Sequence, residues 1–534
     1  MPQSARQRST IKEIAVRDVV PPARIRLLAA SAAALITAGT LWAGPAHATD
    51  GPAPRDHDAP LIDAGSADGL RFRASGRLVG GGGTTCTATV VHATGKPDPA
   101  RKALILSNGH CADDSMRTND VVVDQPAPDG WSFTPAFFHD NAAEHRKFTV
   151  ERVVYATMKD IDVSLLQLSA TYGELAALKV TPRTLADRPV AAGTPLRAAH
   201  APTDGVEEDK RFLRLSTCRA TAAAVSLHES SWLWRDFTRT DCLGISGGSS
   251  GGAVTTADGT RLVGLLNTVA TPGYLGCGLG RPCEGGPAGL VVPKDGTAYA
   301  TPVDAVASCL DGTGLRLHRT GCRLDRGEQV TVESPGQHTR SHTPQGPARW
   351  DARVTPDKAG RHTYVAFKSG LFGVTDCTSP QGYGRPQRLT AAGVDHKDPL
   401  PPREGLHVLC VAGGPDGTAH GPGWAASFAH PSYAWARVDD TPPTVAPTVD
   451  IRSFEGEDGG KRFWVRPVYA PWEITSYKVK YGPKAGTDCA APEGYRPFLG
   501  VPTTLEAAKG PWTYCVIGYD NAENPTPPTP FTVA

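Results

Sequence analysis

Short apolar runs separated by turns fill residues 86–309 of the chain. They are TATVV at 87–91, ALILS at 103–107, DVVVD at 120–124, VSLLQL at 163–168 and RLVGLLN at 261–267. Runs of this length, bounded by Gly, Pro and polar residues, predict β-strands of antiparallel barrels or sandwiches. In residues 301–306 a proline stands at the first turn of a predicted helix, which would close this region. The pattern predicts a mainly β protein.

The N-terminal pattern predicts a secretory signal. Arg24 and Arg26 precede an uncharged stretch rich in Ala and Leu, residues 27–42, and Ala-His-Ala follows at 46–48. A membrane anchor is the alternative, but a spanning helix needs about 20 apolar residues and this run is shorter. We predict a signal peptide at 1–48, a secreted, extracellular protein, and no membrane span once the signal is removed.

The cysteines also indicate an oxidising compartment. The chain has 12 of them, namely Cys86, Cys111, Cys218, Cys242, Cys277, Cys283, Cys309, Cys322, Cys377, Cys410, Cys489 and Cys515. An even number in an exported chain indicates disulfides, and pairing of sequence neighbours would give six short loops, although the sequence leaves the connectivity open. Zinc is the alternative. Because no C-x-x-C pair is present and no histidine lies near Cys277 and Cys283, we predict no metal site.

Composition excludes one class of partner. The 55 Lys and Arg residues nearly balance 54 Asp and Glu residues, and the net charge of +1 provides no basic field for nucleic acid. The 58 Gly and 47 Pro residues favour short strands and turns over long helical bundles. The length of 534 residues allows three or four domains.

The last third of the chain contains a repeated pattern. The first copy comprises residues 363–383 and 405–417, and the second comprises residues 476–495 and 510–522. In each copy a strand with Tyr leads to Thr-Asp-Cys, then to Pro and Gly-Tyr, and later to a Cys-Val strand. A stiff, Pro-rich linker at 439–447 separates the copies. We predict two β-sandwich modules of immunoglobulin-like or fibronectin-like class, at 325–440 and 445–534.

Two motifs supply a candidate base and a candidate carboxylate. His110 stands in Leu-Ser-Asn-Gly-His-Cys, and a disulfide between Cys86 and Cys111 would hold it in the fixed position that a general base requires. Asp162 opens an apolar strand at the rim of a buried layer, where a carboxylate can orient an imidazole. Asp160 is the alternative, but the uninterrupted strand begins directly after Asp162.

A third motif, Gly-Gly-Ser-Ser-Gly-Gly at 247–252, supplies a candidate nucleophile. Glycines beside a serine allow a sharp turn, so the amides of Gly248 and Ser250 can converge on the oxygen of a tetrahedral intermediate as an oxyanion hole. Such a run can also be a linker. Its place between Cys242 and an apolar strand favours the catalytic interpretation.

His110, Asp162 and Ser250, in that order, resemble the site of the trypsin/chymotrypsin family of serine proteases. The resemblance covers residues 86–309. It implies two six-stranded β-barrels with the active site between them, in a protease domain at 78–316. It also implies acyl transfer, in which Ser250 attacks a peptide carbonyl, His110 takes its proton and Asp162 orients His110, with no metal or organic cofactor.

Ser246 competes with Ser250 for the role of nucleophile. Residues 242–248 also fit the family's C-x-G-x-S-G-G pattern, with Ser246 as the serine. Ser250 is favoured because Ala-Val at 253–254 takes the place of the family's usual Pro-Val, and because the next strand with a glycine follows at Gly264, fourteen residues after Ser250.

Ser249 departs from the family pattern, in which an Asp pairs with a new N-terminus after activation. The run RLVGG at 77–81 resembles the family's activation site, but Ser249 offers no counter-charge for a buried amine. The sequence leaves cleavage near Arg77 open, but we expect it not to switch the site on, and we predict residues 49–77 to be a propeptide or flexible lead-in. The Gly-Gly-x-Ser-Gly arrangement instead resembles the secreted bacterial glutamyl endopeptidases.

We expect the substrate pocket to be lined by Gly244, Leu266, Asn267 and Thr268. Gly244 stands six residues before Ser250, where trypsin-like members place an Asp that binds Arg or Lys. A small or apolar substrate side chain is therefore preferred, while a shifted loop at Asp241 leaves basic specificity open.

The predicted function is that of a monomeric, secreted serine endopeptidase acting on protein or peptide substrates, with C-terminal modules for binding or spacing. The alternative is a secreted, non-catalytic binding protein with an inactive protease-like domain, whose C-terminal modules bind cell wall or polysaccharide through exposed tryptophans. Packing in the sandwich cores is the other explanation for these tryptophans. They are Trp350, Trp424, Trp435, Trp464, Trp472 and Trp512.

Overall fold

The computed structural model describes residues 59–80, 83–274, 276–333, 336–418, 421–468 and 473–534. These residues belong to one compact unit. The predicted signal peptide at 1–48 and the start of the predicted lead-in at 49–58 lie outside them. Among the described residues, no helix combines the length and the apolar character needed to cross a membrane.

Seven antiparallel strands build the first barrel. They are β1 Ser75–Val79, β2 Thr85–Val91, β3 Lys102–Ser107, β4 Val121–Pro126, β5 Ser132–Pro135, β6 Phe148–Thr157 and β7 Val163–Thr171. Strands β1, β2, β3, β7, β6 and β5 pair in that order and β5 returns to β1, so six strands close a ring and β4 is added at β6. Apolar side chains fill the ring, where Leu78, Ile105, Phe133 and Leu166 are fully buried.

The second barrel closes in the same way. Its strands and their short neighbours are β8 Thr184–Leu185, β9 Pro195–His200, β10 Arg214–Glu229, β11 Trp232–Thr240, β12 Ala253–Thr256, β13 Arg261–Val269, β14 Cys283–Gly286, β15 Gly289–Val291 and β16 Ala298–Pro302. Strands β9, β10, β11, β16, β13 and β12 pair in that order and β12 returns to β9, which completes a second ring of six. From β11, Trp234 and Phe237 pack into the core of the first barrel.

Helices are few and short. They are α1 Ala67–Arg71, α2 Tyr172–Ala177, α3 Asp304–Cys309 and α4 Ala425–Ala429, with 3-10 turns at His139–Glu144, Glu208–Lys210, Pro422–Trp424, Lys484–Gly486 and Ala507–Lys509. Helix α3 confirms the helix predicted around residues 301–306. The predicted strand runs are confirmed in β2, β3, β4, β7 and β13.

Two further pairs of sheets follow the barrels. The first pair and the hairpin before it comprise β17 Leu310–Asp311, β18 Gly314–Leu315, β19 Thr331–Glu333, β20 Gly336–Thr339, β21 His342–Thr343, β22 Gly346–Pro347, β23 Ala352–Thr355, β24 Tyr364–Leu371, β25 Gln387–Arg388, β26 Val394–His396, β27 Gly405–Gly414 and β28 Ser432–Val438. The sheet β19-β23-β26 shares one core with the sheet β20-β28-β27-β24-β25, around Trp350, Val354 and Leu409.

The second pair of sheets completes the chain. Its strands are β29 Thr448–Glu455, β30 Lys461–Val468, β31 Ser476–Pro483, β32 Arg496–Pro497, β33 Thr503–Glu506, β34 Trp512–Tyr519 and β35 Thr529–Val533. The sheet β29-β30-β33 shares a core with β32-β31-β34-β35, around Val465 and Tyr514. The predicted fold class, a double six-stranded barrel followed by two β-sandwiches, is confirmed.

All twelve cysteines form disulfides, as predicted, and the connectivity that the sequence left open is that of neighbouring pairs. The two sandwiches share a further contact pattern around their own disulfides. A lysine nine residues before the first cysteine donates to a carbonyl in the loop after it, and a tyrosine six residues after that cysteine donates its hydroxyl to the cysteine's carbonyl. The pairs are Lys368 with Gln381 (2.7 Å) and Tyr383 with Cys377 (2.8 Å), then Lys480 with Glu493 (3.0 Å) and Tyr495 with Cys489 (2.8 Å).

Residues 59–77 are part of the folded protein, so the expectation of a flexible lead-in is wrong there. Ile62 donates its amide to the carbonyl of Leu213 at 3.0 Å, and both side chains are buried with Phe72 in one cluster. The sequence hides this packing because the few apolar residues among many Pro, Asp and Gly residues follow no regular period. Arg77 lies in β1, between β2 and β5.

The bond between Arg77 and Leu78 lies in a strand paired along both edges, and Leu78 is fully buried. We therefore expect trypsin to spare this bond in the folded protein and to cut it after denaturation. Mass spectrometry of the fragments checks this. A fragment beginning at Leu78, released from folded protein as fast as fragments from exposed loops, would contradict it.

Candidate active site

The loop between β6 and β7 presents Asp162 to His110. The side chain of Asp162 is fully buried, and its Oδ2 lies 2.6 Å from Nδ1 of His110. Its Oδ1 accepts the backbone amides of Gly109 and His110, the latter at 3.1 Å. A carboxylate held in this way favours the tautomer of His110 with Nδ1 protonated, which leaves Nε2 free to accept a proton.

His110 lies in a tight turn directly after β3. Two amides of this turn donate to the carbonyl of Gly109, at 2.8 and 3.1 Å, and the disulfide Cys86–Cys111 ties the turn to β2. Burial lowers the pKa of His110, but the charge and hydrogen bond of Asp162 outweigh this and leave the pKa raised. The ring is therefore a stronger base than an ordinary histidine.

The backbone at residues 248–250 turns its carbonyls toward Thr87 on β2. The hydroxyl of Thr87 donates to the carbonyl of Gly248 at 3.0 Å, and the amide of Thr87 donates to that of Ser250 at 2.8 Å. Within the described part of the chain, the amides of Gly248 and Ser250 themselves donate to no protein atom. Two such amides at one turn are what an oxyanion hole requires.

Glycines are required at two positions of this turn. Gly248 has φ +91° and Gly251 has φ +79°, in the left-handed region that other residues rarely adopt. A Cβ on Gly251 would lie 2.0 Å from the carbonyl oxygen of Thr87, and one on Gly248 would lie 2.8 Å from that of Ala201. The Gly-rich motif is therefore a packed turn between the barrels and not a linker.

Two asparagines connect Ser250 with the His110–Asp162 pair. The hydroxyl of Ser250 donates to the carbonyl of Asn267 at 3.2 Å, and Asn267 Nδ2 donates to Asp162 Oδ2 at 2.7 Å. Asn108 accepts the amide that follows Ser250 at 2.6 Å and donates to the carbonyl of Asp162 at 2.9 Å. The three predicted residues therefore meet in one network between the barrels. In it, the Ser250 hydroxyl points to Asn267 instead of the imidazole.

The two alternative candidates point elsewhere. The hydroxyl of Ser246 donates to a backbone carbonyl of the neighbouring loop at 2.8 Å. The carboxylate of Asp160 accepts Arg235 Nε at 2.9 Å and the Tyr433 hydroxyl at 2.6 Å, on the other side of the loop. The network of Asp162 contains neither of them.

Ser249 anchors the serine turn to the second barrel through His200. The hydroxyl of Ser249 donates to His200 Nδ1 at 2.9 Å. His200 Nε2 donates to the Ser216 hydroxyl at 3.0 Å, which donates to the carbonyl of Leu243 at 2.6 Å. Burial, helped by the charge of Arg214, lowers the pKa of His200 to about 3, so the ring is neutral. This series of uncharged hydrogen-bonded groups thus occupies the place where trypsin-like proteases carry a charged Asp.

Two of the four residues expected to line the substrate pocket do not do so. Leu266 is fully buried in the core of the second barrel, because strand alternation turns it inward, and its prediction was wrong. Gly244 packs directly against Ala59: a Cβ added at Gly244 would lie 2.5 Å from the Cβ of Ala59. Gly244 therefore does not form the floor of an open pocket. Asn267 serves the carboxylate network, and Thr268 is half-buried.

Glu229 is a buried acid beside the site that the sequence did not reveal. It ends β10, and its Oε1 accepts the amide of Gly280 at 2.6 Å. Burial raises the pKa of Glu229 to about 7, and its charge contributes to the raised pKa of His110. Thr268 faces the same carboxyl. Asp241, by contrast, is exposed and accepts a backbone amide of β10.

Cys86, His110 and Cys111 form a small cluster of atoms that could ligate a metal, within 4.8 Å of one another. The two sulfurs are bonded to each other, and Nδ1 of His110 is engaged by Asp162. This donor set does not fit a metal ion, because a cysteine binds a metal as a free thiolate and both of these cysteines are oxidised.

Comparison with known proteins finds a similar family for part of this chain. Residues 86–265 match the family model described as a trypsin-like peptidase domain. No curated protein matches the chain. The domain and the six disulfides together indicate an extracellular protein.

Similar solved structures cover less than half of this chain. They include the protease domain of MamO from Magnetospirillum magneticum, with 15% identity over 45% of this chain and 98% of that chain and a TM-score of 0.29. The protease Anisep from Arthrobacter nicotinovorans has 15% identity over 43% and 89%, with a TM-score of 0.29. A Glu endopeptidase has 16% identity over 46% and 89%, with a TM-score of 0.25.

His200→Leu tests the anchoring of the serine turn. The change leaves two buried hydroxyls without their ring partner, at about 1–3 kcal/mol each. It also loosens the turn that holds an oxyanion donor, and loss of one such donor costs about 10²–10³ in kcat. We expect kcat on a peptide substrate to fall by at least about tenfold. The control is His407→Leu, which removes another buried histidine, bonded to the carbonyl of Arg403 at 2.9 Å. Equal kcat values in the two folded variants would contradict the role of His200.

Glu229 predicts a pH-dependent stability. Its pKa of about 7 in the folded protein lies above the ordinary value of 4.5, so its contribution to stability is fully present below about pH 4.5 and is lost as the pH rises through about 7. Glu229→Gln keeps an acceptor for Gly280 and removes this loss. We expect the unfolding temperature of the variant, relative to wild type, to rise from about pH 5 to about pH 8. A difference independent of pH in thermal denaturation would refute this.

Proposed function

We propose that this chain is a secreted serine endopeptidase that hydrolyses peptide bonds through an acyl-enzyme on Ser250. The observation that carries this proposal is the single network of Asp162, His110 and Ser250, in which Asp162 Oδ2 lies 2.6 Å from His110 Nδ1. The backbone amides of Gly248 and Ser250 have no acceptor in the described structure, and they can form the oxyanion hole that acyl transfer needs beside a nucleophile. Export through the predicted signal at 1–48 agrees with the six disulfides.

The reaction begins with rotation of the Ser250 hydroxyl from the carbonyl of Asn267 toward Nε2 of His110. His110 takes the proton as the serine oxygen bonds to the substrate carbonyl carbon, and the carbonyl oxygen becomes an oxyanion facing the amides of Gly248 and Ser250. The imidazolium gives its proton to the leaving amine, and water then attacks the acyl-enzyme by the same route to release the acid. Asp162 stabilises the imidazolium without taking its proton.

The raised pKa of His110 suits this role. A base must be unprotonated before the reaction, so the acid limb of activity lies above the ordinary histidine value of 6.5. Asp162 and Glu229 both contribute negative charge to this shift. The proposed substrate is a protein or peptide, and side-chain selection depends on groups other than Leu266 and Gly244, which do not face the cleft.

A binding role for the C-terminal sheets has less support. Trp350, Trp424 and Trp435 are core residues, with exposures of 1%, 0% and 5%. Trp464 is 41% exposed, and its ring packs at a tilt against that of Phe454, at a centroid distance of 4.6 Å. Trp512 is half-buried, and Trp472 lies outside the described residues. Among these tryptophans in the described residues, Trp464 is therefore the exposed candidate for stacking against a carbohydrate.

Serine replacement tests the nucleophile. We expect Ser250→Ala to abolish labelling by a fluorophosphonate and to lower kcat on the order of 10⁵- to 10⁶-fold, because both acyl transfer steps need that oxygen. Ser246→Ala is the matched control: its hydroxyl donates only to the carbonyl of Asp204 in the described structure, at 2.8 Å, so labelling should persist. Labelling lost in Ser246→Ala and kept in Ser250→Ala would reverse the assignment.

A further inference from the structure

The first C-terminal sheet pair contacts the loop that carries Asp162. In this loop Lys159 Nζ lies 2.5 Å from Asp325 Oδ2 and donates to the carbonyl of His430 at 2.9 Å. The side chains of Lys159 and Asp325 are only 1% and 4% exposed. Removing one partner of a buried ion pair leaves an uncompensated charge, so the two groups stay together in the folded protein. The loop is therefore held by residues that follow the second barrel in the chain.

Tyr433 on β28 makes a second set of contacts with the same region. Its hydroxyl donates to Asp160 at 2.6 Å, and its ring lies 5.4 Å from the guanidinium of Arg235, which also binds Asp160. Its amide and its carbonyl pair with the side chain of Asn119, each at 2.7 Å. Tyr433 is 3% exposed. One tyrosine of the C-terminal sheet thus binds the loop of Asp162, the turn before β4 and the strand β11.

Apolar packing surrounds these polar contacts. Leu233 of β11 is buried in one cluster with Phe372 and Leu406 of the C-terminal sheets. Trp435 belongs to the same cluster and donates its indole N–H to the carbonyl of Ser231 at 3.2 Å. A contact with a buried apolar centre and a buried ion pair resembles the interior of a domain more than a mobile interdomain surface.

Asp160 and Asp162 lie in one short loop and bind different partners, Asp160 the Tyr433 hydroxyl and Asp162 the His110 ring. Asp160 has φ +64°, and the amide of Ile161 donates to the carbonyl of Lys159 at 2.7 Å, which makes the loop a tight turn. A displacement of Asp160 is therefore passed to Asp162 across one intervening residue. Misplacement of a catalytic group by about 1 Å costs on the order of 10²-fold in rate.

We propose that the first C-terminal sheet pair is part of the catalytic unit, and that Tyr433 and the Lys159–Asp325 pair are positioning residues for Asp162. This inference rests on the proposed peptidase function. It gives the sheet pair a role other than binding or spacing, because the face with Tyr433 is occupied by the barrels.

The test uses point variants of the full chain. Tyr433→Phe removes one hydroxyl and keeps the ring. We expect kcat to fall about tenfold at unchanged KM, because positioning of Asp162 acts in the transition state. We also expect the acid limb of kcat/KM to move to lower pH, because a looser Asp162 raises the pKa of His110 less. A purely structural role would not move this limb.

A second variant removes the ion pair without leaving a lone buried charge. Lys159→Met combined with Asp325→Leu replaces both charges by apolar groups of similar size, which is often neutral for stability. We expect a loss of kcat of about 10²-fold and the same shift of the acid limb. The downfield proton resonance of the His110 Nδ1–H group, which reports its bond to Asp162, should weaken in both variants.

The matched control is Tyr514→Phe. Tyr514 is fully buried in the last sheet pair, and its hydroxyl lies 3.3 Å from that of Thr503. Its loss should lower the unfolding temperature and leave kcat unchanged. Wild-type kcat and pH profile in both Tyr433→Phe and the double variant would overturn the inference, as would an equal loss in Tyr514→Phe. Wild-type protein that does not react with a fluorophosphonate would instead refute the peptidase function itself.

Discussion

The buried carboxylate of Asp162 is the charge on which the arrangement of the site depends. A fully buried carboxylate costs several kcal/mol unless hydrogen-bond donors surround it, roughly the magnitude of a whole domain's stability. The donors here are the amides of Gly109 and His110, the ring of His110 and the side chain of Asn267. Asn267 comes from the second barrel and the others from the first, so this carboxylate is satisfied only when the two barrels meet.

The same requirement brings the nucleophile into place. Asn267 gives its amide to Asp162 and its carbonyl to the hydroxyl of Ser250, while Asn108 connects the backbone beyond Ser250 with that of Asp162. Satisfying the carboxylate therefore aligns the serine turn as well. Thr87 completes this coupling, because its hydroxyl and amide hold the carbonyls of the turn away from the oxyanion position. The meeting of the two barrels therefore assembles the site.

The sequence predicted what depends on local pattern. Strand runs, the order of His110, Asp162 and Ser250, and the presence of disulfides are visible because period, motif and composition indicate them. The sequence failed where a residue's role is set by distant chain. Leu266 looked like a pocket residue, but strand alternation turns it into the core of the second barrel. Ile62 and Phe72 looked like parts of a loose segment, but Leu213, far along the chain, buries them. Glu229 and His200 carried no motif, and only their burial reveals them.

The replacement of a charged residue by Ser249 has a physical logic that connects the turn with the N-terminal strand. A buried carboxylate at this position would need a buried cation, which the family obtains from a new terminus formed by cleavage near the barrel. Here β1 remains paired on both sides across Arg77 and Leu78, so no such terminus can form without opening the ring. The hydroxyl of Ser249 needs only a neutral acceptor, and the buried, uncharged His200 supplies it. An intact first strand and an uncharged anchor for the serine turn are therefore mutually consistent. With an intact strand, a charged anchor would remain unpaired and buried, and with a cut strand, the barrel would be open.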